Sequence, residues 1–207
     1  MIDTILKYFP ELSGQQIDKL SVLHDIYKVW NNKINIISRK DIDNFYLHHV
    51  LHSLSVAKVI NFKAGTKVLD VGTGGGFPGI PLAILFSDSQ FSLLDSIGKK
   101  IRVVTSVASE LELFNVIPLR KRVEEEFSRF DFVVSRAVTN FTDFVRMTKK
   151  NISSQSCNSL NNGIIYLKGG DLTGELGNYL RSVTIWDISN FFSEPFFETK
   201  KIVYLRL

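Results

Sequence analysis

A short apolar run, Lys67-Val-Leu-Asp-Val71, breaks directly into Gly72-Thr-Gly-Gly-Gly-Phe-Pro-Gly79, which places five glycines in eight residues. An apolar run of this length suits a strand covered on both faces. Glycines directly behind it permit a tight turn and let a ligand approach the backbone closely. The following residues, Phe77 to Phe86, suit a helix with Pro78 in its first turn. Strand, glycine turn and helix in that order open an α/β sheet that binds a ligand at its carboxyl ends. The spacing G-x-G-x-x-G does not choose the cofactor. Counted from Gly72, it meets Phe77 where the third glycine belongs; counted from Gly74, it is completed by Gly76 and Gly79.

The remaining periodicity extends that unit. Ile17, Leu20, Leu23, Tyr27 and Trp30 recur at helical spacing, as do Leu47, Val50, Leu51 and Leu54, so residues 1–62 read as a helical extension. Residues 63–207 read as one core. Strands are predicted at Lys67–Val71, Phe91–Asp95, Val116–Leu119, Asp131–Ser135 and Ile164–Lys168, with helices at Lys99–Phe114 and Thr139–Lys150 between them. Strand–helix alternation argues for a parallel sheet. Val183–Ile188 and Ile202–Leu207 close the chain as two strands without a convincing helix between them, which suggests an antiparallel edge hairpin. Residues 151–163, rich in Ser and Asn and without a period, read as a flexible surface loop.

Composition excludes several classes. The chain has 207 residues, 25 basic and 21 acidic, for a net charge of +4. That mild excess permits nucleic-acid binding without demanding it. Cys157 stands alone, so no intramolecular disulfide forms, and without a secretory signal a reducing cytoplasm is expected. Phe77–Phe86 is about half the ~20 apolar residues a membrane span needs. His24, His48, His49 and His52 lack a zinc-type spacing, and the pair His48/His52 reads better as a polar helix face than as a metal site.

Two acidic residues narrow the ligand. Asp70 closes the first strand and Asp95 the second, where a carboxylate accepts the ribose hydroxyls of an adenosine ligand. Asp70 would repel a pyrophosphate but tolerate the sulfonium and amino group of S-adenosylmethionine (SAM), which carries no phosphate. The pattern Asp-Val-Gly-Thr-Gly therefore favours SAM over a nicotinamide or flavin, and both of these, together with a glycine turn without ligand, stay open on residues alone.

Val68-Leu-Asp-Val-Gly-Thr-Gly-Gly-Gly-Phe-Pro-Gly-Ile-Pro81 closely resembles the signature of the RsmG family, also called glucose-inhibited division protein B, SAM-dependent guanine-N7 methyltransferases of 16S ribosomal RNA. Trp30-Asn31 with Asn35, Leu94-Asp-Ser-Ile-Gly-Lys-Lys100, Arg122-Val-Glu-Glu125, Ser135-Arg-Ala137 and Leu167-Lys-Gly169 match further motifs in order. The family's His-x-x-Asp-Ser element stands here as His49-Val-Leu-His52-Ser53, with His52 in place of Asp, and Ile37 stands where Thr is common. The resemblance implies a class I methyltransferase: a mostly parallel, seven-stranded, Rossmann-like sheet with helices on both faces, plus the N-terminal extension. It implies that Gly72 and Phe77 contact SAM, with Gly74 in the same loop, that Val123 and Glu124 hold the adenine end, and that Arg136 sits beside SAM and the target base as the catalytic residue. It places Arg122 and Lys200 near RNA, as partner to 16S RNA or the 30S subunit, with a monomer and no membrane.

The chemistry agrees with the residues present. Guanine N7 has a lone pair and no proton, so its methylation needs positioning rather than a general base. The chain has no Asn-Pro-Pro-Tyr motif for amino-group transfer, and Cys157 lacks the Pro-Cys context of a pyrimidine nucleophile. Arg136 could bond guanine O6 or clamp a phosphate. Lys99-Lys100-Ile-Arg102, Arg120-Lys-Arg122 and Lys200-Lys201 fall near strand ends, where they could rim one mouth of the sheet and face RNA. Phe45 and Tyr46 are candidates for base stacking. Two other readings remain: a SAM enzyme for a small molecule or protein, and an NAD-dependent oxidoreductase or nucleotide-sensing module.

Overall fold

The structure, a computed structural model, describes residues 2–38, 41–136 and 139–207. Seven strands form one sheet: β1 (Lys67–Val71), β2 (Gln90–Asp95), β3 (Val116–Arg120), β4 (Phe132–Arg136), β5 (Gly163–Gly169), β6 (Val183–Asp187) and β7 (Lys200–Arg206), in the order β3-β2-β1-β4-β5-β7-β6. The first five run parallel, and β7 is antiparallel to both of its neighbours. The helices are α1 (Asp3–Leu6), α2 (Gly14–Lys33), α3 (His52–Leu54), α4 (Gly79–Leu85), α5 (Gly98–Glu110), α6 (Phe141–Thr148) and α7 (Thr173–Leu176).

The strands read as continuous apolar runs because both faces are covered. Val68, Phe91, Leu93, Phe132 and Val134 enter a core shared with α2, α4 and α5. Their alternates Leu69, Val71, Leu94 and Val133 enter a second core with Phe141, Phe144 and Val145 of α6. The chain runs outward from β1 to β3 and then returns to β4 beside β1. That reversal opens a crevice at the carboxyl ends of β1 and β4, the position where such sheets take ligands.

The extension packs into the first core rather than beside it. Ser13 caps α2 with Gln16: Gln16 N–H donates to Ser13 Oγ at 3.3 Å and Ser13 N–H to Gln16 Oε1 at 2.9 Å. The buried face of α2 carries Leu20, Leu23, Ile26 and Tyr27. Beyond residue 33 the helical extension consists, among the described residues, of a 3-10 turn at Ile42–Asn44, a π-helical stretch at Tyr46–Leu51, α3 and a further 3-10 turn at Ser55–Lys58. Asn31 sets the first break, accepting from Ile36 and Ile37 N–H at 2.8 and 2.9 Å through Oδ1 and donating to Ile37 O.

Three local expectations change. α4 starts at Gly79, with Pro78 as its cap rather than inside its first turn. The closing strands are antiparallel, but only β6 lies at the edge. Ile202, Val203, Tyr204 and Leu205 of β7 are all buried and belong in the sheet interior, whereas β6 is half exposed. The Ser/Asn segment is fastened rather than loose. Asn158 Oδ1 accepts from Lys63 N–H at 2.9 Å, and Asn162 Nδ2 donates to Ser153 O at 3.0 Å. Asn151, Ile152 and Asn162 are buried.

Candidate active site at the carboxyl ends of the sheet

The glycine turn is held from both sides. Gly72 and Thr73 N–H donate to Leu94 O at 2.8 and 3.0 Å, which ties the turn to β2. Asp70 is fully buried beneath it, and its Oδ2 accepts from Thr73 Oγ1 at 2.7 Å and from Gly79 N–H at 2.9 Å. A Cβ on Gly79 would come within 2.8 Å of that oxygen and 2.7 Å of Leu93 Cγ, so only glycine permits the approach. Burial pushes the Asp70 carboxyl up to about 7, against the pull of its two hydrogen bonds and of Arg136. Asp70 therefore shapes the turn from below and does not line the cleft, which corrects its expected place beside the cofactor. The first N–H of α4 is taken by this carboxylate and is not presented to a pyrophosphate.

Asp95 does face the cleft. It ends β2, is 6% exposed, and accepts from Ile97 N–H at 2.8 Å through Oδ1 and from Gly74 N–H at 3.1 Å through Oδ2. Lys100 Nζ stands 3.5 Å from Oδ2. Two ionised carboxylate oxygens offer about four acceptor positions, so capacity remains for a ligand hydroxyl. The cleft has a volume of about 550 Å3, and its lining includes Gly72, Asp95, Ile97, Lys100, Arg122, Val123, Glu124 and Arg136. Gly74, whose N–H donates to Asp95, is not part of this lining. Lys99 is exposed beyond the rim.

Arg136 ends β4, partly buried, where this cleft meets a second one. Its Nη1 donates to His48 O at 3.2 Å, and its Nη2 lies 3.1 Å from His49 Nδ1. The guanidinium carbon sits 5.3 Å from the centre of the Phe77 ring. His49 Nε2 is 2.6 Å from Asp41 Oδ2, and His48 Nδ1 bonds the other oxygen of Asp41. A guanidinium only donates, so His49 Nδ1 accepts and Nε2–H donates to Asp41. Burial and the neighbouring Arg136 hold His49 down at about 4, so it is neutral, while burial lowers Arg136 only to about 10, so it stays charged. The second cleft, about 670 Å3, is lined by Asp41, His48, His49, His52, Arg136, Lys168, Phe196 and Lys200 among others.

Phe77 is 4% exposed and sits in a ring cluster with Tyr27 at 4.9 Å, Phe45 at 5.8 Å and His49 at 5.3 Å. It supports Arg136 rather than lining the first cleft. Phe45 is core, and Tyr46 is partly buried, with its ring against His24 and Phe45 and its hydroxyl 2.6 Å from the Ser21 carbonyl. The expected basic rim divides: Lys100 and Arg122 border the first cleft, and Lys200 borders the second, 4.9 Å over Phe196. Ala137 of the quoted Ser-Arg-Ala motif lies outside the described residues. Of the residues lining the second cleft, Asp41 and Phe196 are singled out by no sequence pattern, whereas His49 falls in His49-Val-Leu-His52-Ser53, Lys168 in Leu167-Lys-Gly169 and His48 in the pair His48/His52. No group of three His, Cys, Asp or Glu side chains suited to a metal ion occurs among the described residues.

A seven-stranded sheet with an antiparallel β7 inserted beside β5, a glycine turn behind β1 and an acidic end to β2 defines a class I SAM-dependent methyltransferase fold. Solved structures share it: a precorrin-6y C5,15-methyltransferase from Geobacter metallireducens superposes with a TM-score of 0.57 at 10% identity, over 84% of this chain and 92% of that one. A SAM-dependent methyltransferase from Aquifex aeolicus gives 0.54 at 17% identity, over 74% and 88%. Residues 16–189 match the model of the GidB family, rRNA small subunit methyltransferase G, and the chain belongs to that family. A ribosomal RNA small subunit methyltransferase G from Bacteroides thetaiotaomicron is 55% identical over 206 residues, covering 100% of both chains.

Proposed function

We propose that this chain transfers the methyl group of SAM to N7 of a guanine in 16S ribosomal RNA. The observation that carries this reading is the position of Arg136, at the wall between an acid-floored cleft and a second cleft lined by rings and cations, in a chain of the small-subunit rRNA methyltransferase family.

The donor set of the first cleft fits adenosine. Asp95 has acceptor capacity for ribose hydroxyls, Val123 and the exposed Ile97 provide apolar walls, and Glu124 and the Gly72 backbone lie within the same cleft. The cofactor supplies a methyl group bonded to a sulfonium. Asp70 holds the turn in shape, and Arg136 is fixed on His48 and His49, so that the acceptor base meets a rigid wall. With SAM bound there, N7 would accept the methyl through its own lone pair while the C–S bonding pair stayed on sulfur, so no residue of the chain would have to move a proton. Hence the site contains a positioning network and needs no base, and proximity accounts for several kcal/mol of the acceleration. Lys99, Lys100, Arg122 and Lys200 meet phosphates of 16S RNA or the 30S particle. Residues 1–62 act as the inner support of the turn and of Arg136. This substrate makes the cytoplasm the working compartment of a monomer. No helix among the described residues is long and apolar enough to cross a membrane.

The test is incubation with methyl-labelled SAM and either naked 16S RNA or 30S subunits from cells lacking the modification. One labelled guanine, with the strand-cleavage chemistry of an N7-methylated base, is expected. Absence of label from 16S RNA in both forms would overturn the reading.

A further inference from the structure

The chain between β3 and β4 supplies Lys121, Arg122, Val123 and Glu124 to the lining of the first cleft. Apart from one 3-10 turn at Val123–Glu125, residues 121–129 form no regular element, and only Val123 and Glu126 of them are buried. A segment with so little burial holds one shape only if its backbone groups are tied elsewhere. Three alternate carbonyls are tied here by two consecutive side chains. Lys150 Nζ donates to Glu124 O at 2.6 Å, and Asn151 Nδ2 donates to Glu126 O at 2.9 Å and to Ser128 O at 3.0 Å. Both residues belong to the 3-10 turn Lys149–Asn151 directly behind α6, and Asn151 is fully buried. The Glu126 carboxylate adds a further tie: Oε2 lies 2.6 Å from Lys121 Nζ, and Oε1 accepts from Ser128 N–H at 2.8 Å. Burial works against the Glu126 charge, but Lys121 and Ser128 hold its carboxyl down at about 2, so it stays ionised.

Glu126, Lys150 and Asn151 do not line the cleft themselves, so whatever they do for the cofactor they do through the segment they hold. We propose that Lys150, Asn151 and the Lys121–Glu126 pair are positioning residues: they fix the Val123–Glu124 wall of the first cleft and thereby set the affinity for the adenosine end of SAM. This deepens, and rests on, the SAM part of the reading above. A wall fixed before the cofactor arrives loses less freedom when it binds, and that saving appears as affinity. The wall stands away from Arg136 along the chain and none of its ties reaches Arg136, so the transfer step itself keeps its rate.

The test pairs calorimetry with steady-state transfer to 30S subunits. The calorimetric probes are SAM, S-adenosylhomocysteine and 5′-methylthioadenosine, which share the adenosine end. Lys150→Met keeps an apolar stem beside Phe127, whose ring centre lies 4.6 Å from Lys150 Nζ, and removes the donor to Glu124 O. It should weaken all three ligands by a common factor of about 5- to 30-fold at full stoichiometry, the scale of one lost charge-assisted hydrogen bond. KM for SAM should rise with it, while kcat and KM for 30S stay within about threefold of wild type. Lys150→Arg, which can still donate, should recover most of the affinity, and Glu126→Gln should weaken the same three ligands. If Glu126→Gln fails to fold, Lys150→Met decides alone. Wild-type affinities in Lys150→Met would overturn the inference. So would a reduced stoichiometry at unchanged affinity, which is what a purely structural loss gives, or weaker 30S binding with cofactor affinity intact, which would make Lys150 an RNA contact. A wild-type enzyme that binds none of the three ligands overturns the underlying SAM reading instead.

Discussion

Arg136 is the residue on which the site turns. Two bonds, to the His48 carbonyl and to His49 Nδ1, fix its guanidinium, and Asp41 fixes His49 in turn. Its planar fork spans both acceptors, which an ammonium on a flexible stem does not do. Arg136→Ala is expected to lower the methyl-transfer rate on 30S subunits by about 100-fold, the scale of losing one fixed electrostatic group beside the reacting atoms. SAM affinity, measured by calorimetry, should change by less than about threefold, because Asp95 and the Gly72 turn carry most of the first cleft. Arg136→Lys should recover little. A variant that binds and transfers like the wild type would remove Arg136 from the site. Asp70 teaches a different lesson at the same scale. Its acidic character was legible, but its direction was not, because successive residues of β1 alternate between two faces and burial was decided by what covers them.

At the scale of elements, α2 and the glycine turn form one mechanical unit. The Tyr27 hydroxyl donates to Gly75 O at 2.6 Å, and a Cβ on Gly75 would come within 2.2 Å of Ile36 Cγ2. The segment that Asn31 fastens thus presses Ile36 on the turn, while Tyr27 holds the turn through the Gly75 carbonyl. Tyr27→Phe keeps the ring in the cluster with Phe45 and Phe77 and removes only the hydroxyl. It leaves the Gly75 carbonyl without this donor, so a loss of about 1 kcal/mol in urea unfolding is expected. SAM affinity should fall with it, since the turn is the wall of the cofactor cleft; unchanged affinity would show that the turn holds its shape without α2. Helical spacing was enough to place Tyr27 in a core. Its hydroxyl bond to Gly75, far along the chain, had no local pattern to announce it.

Over the whole molecule, the net charge of +4 conceals a division of labour. Asp95 and Glu124 line the first cleft, with Asp70 buried beneath the glycine turn, while Lys100 and Arg122 border it, Lys99 is exposed beside Lys100, and Lys200 borders the second. A basic excess this small does not suit RNA binding over the whole surface; under the proposed function a local set of cations meets a few phosphates. The triple variant Lys99→Ala, Arg122→Ala and Lys200→Ala should weaken 30S binding and reduce the log–log dependence on salt by about 2 units, at ~0.7–0.9 for each phosphate no longer neutralised. An unchanged salt slope would move the RNA-binding surface elsewhere.

Periodicity by itself determined the seven strands and the parallel first half, and the glycine turn, the acidic end of β2 and the motifs that resemble the family were legible as short stretches of adjacent residues, because each of these is a local pattern. Only the tertiary structure decided which strand closes the sheet. Both final strands are short apolar segments, but β7 took the interior because Ile202–Leu205 is apolar on both faces, whereas Val183–Asp187 is interrupted by Thr184 and Asp187. Only the tertiary structure brought Asp41, His48, His49 and His52 against Arg136, 84 or more positions away for each, and left His52 Nε2 without a partner. Histidines on a short helical stretch read as a polar face until the element that covers them is known. What a side chain bonds to across the core depends on packing between distant segments, and that information resides in the fold rather than in any window of the chain.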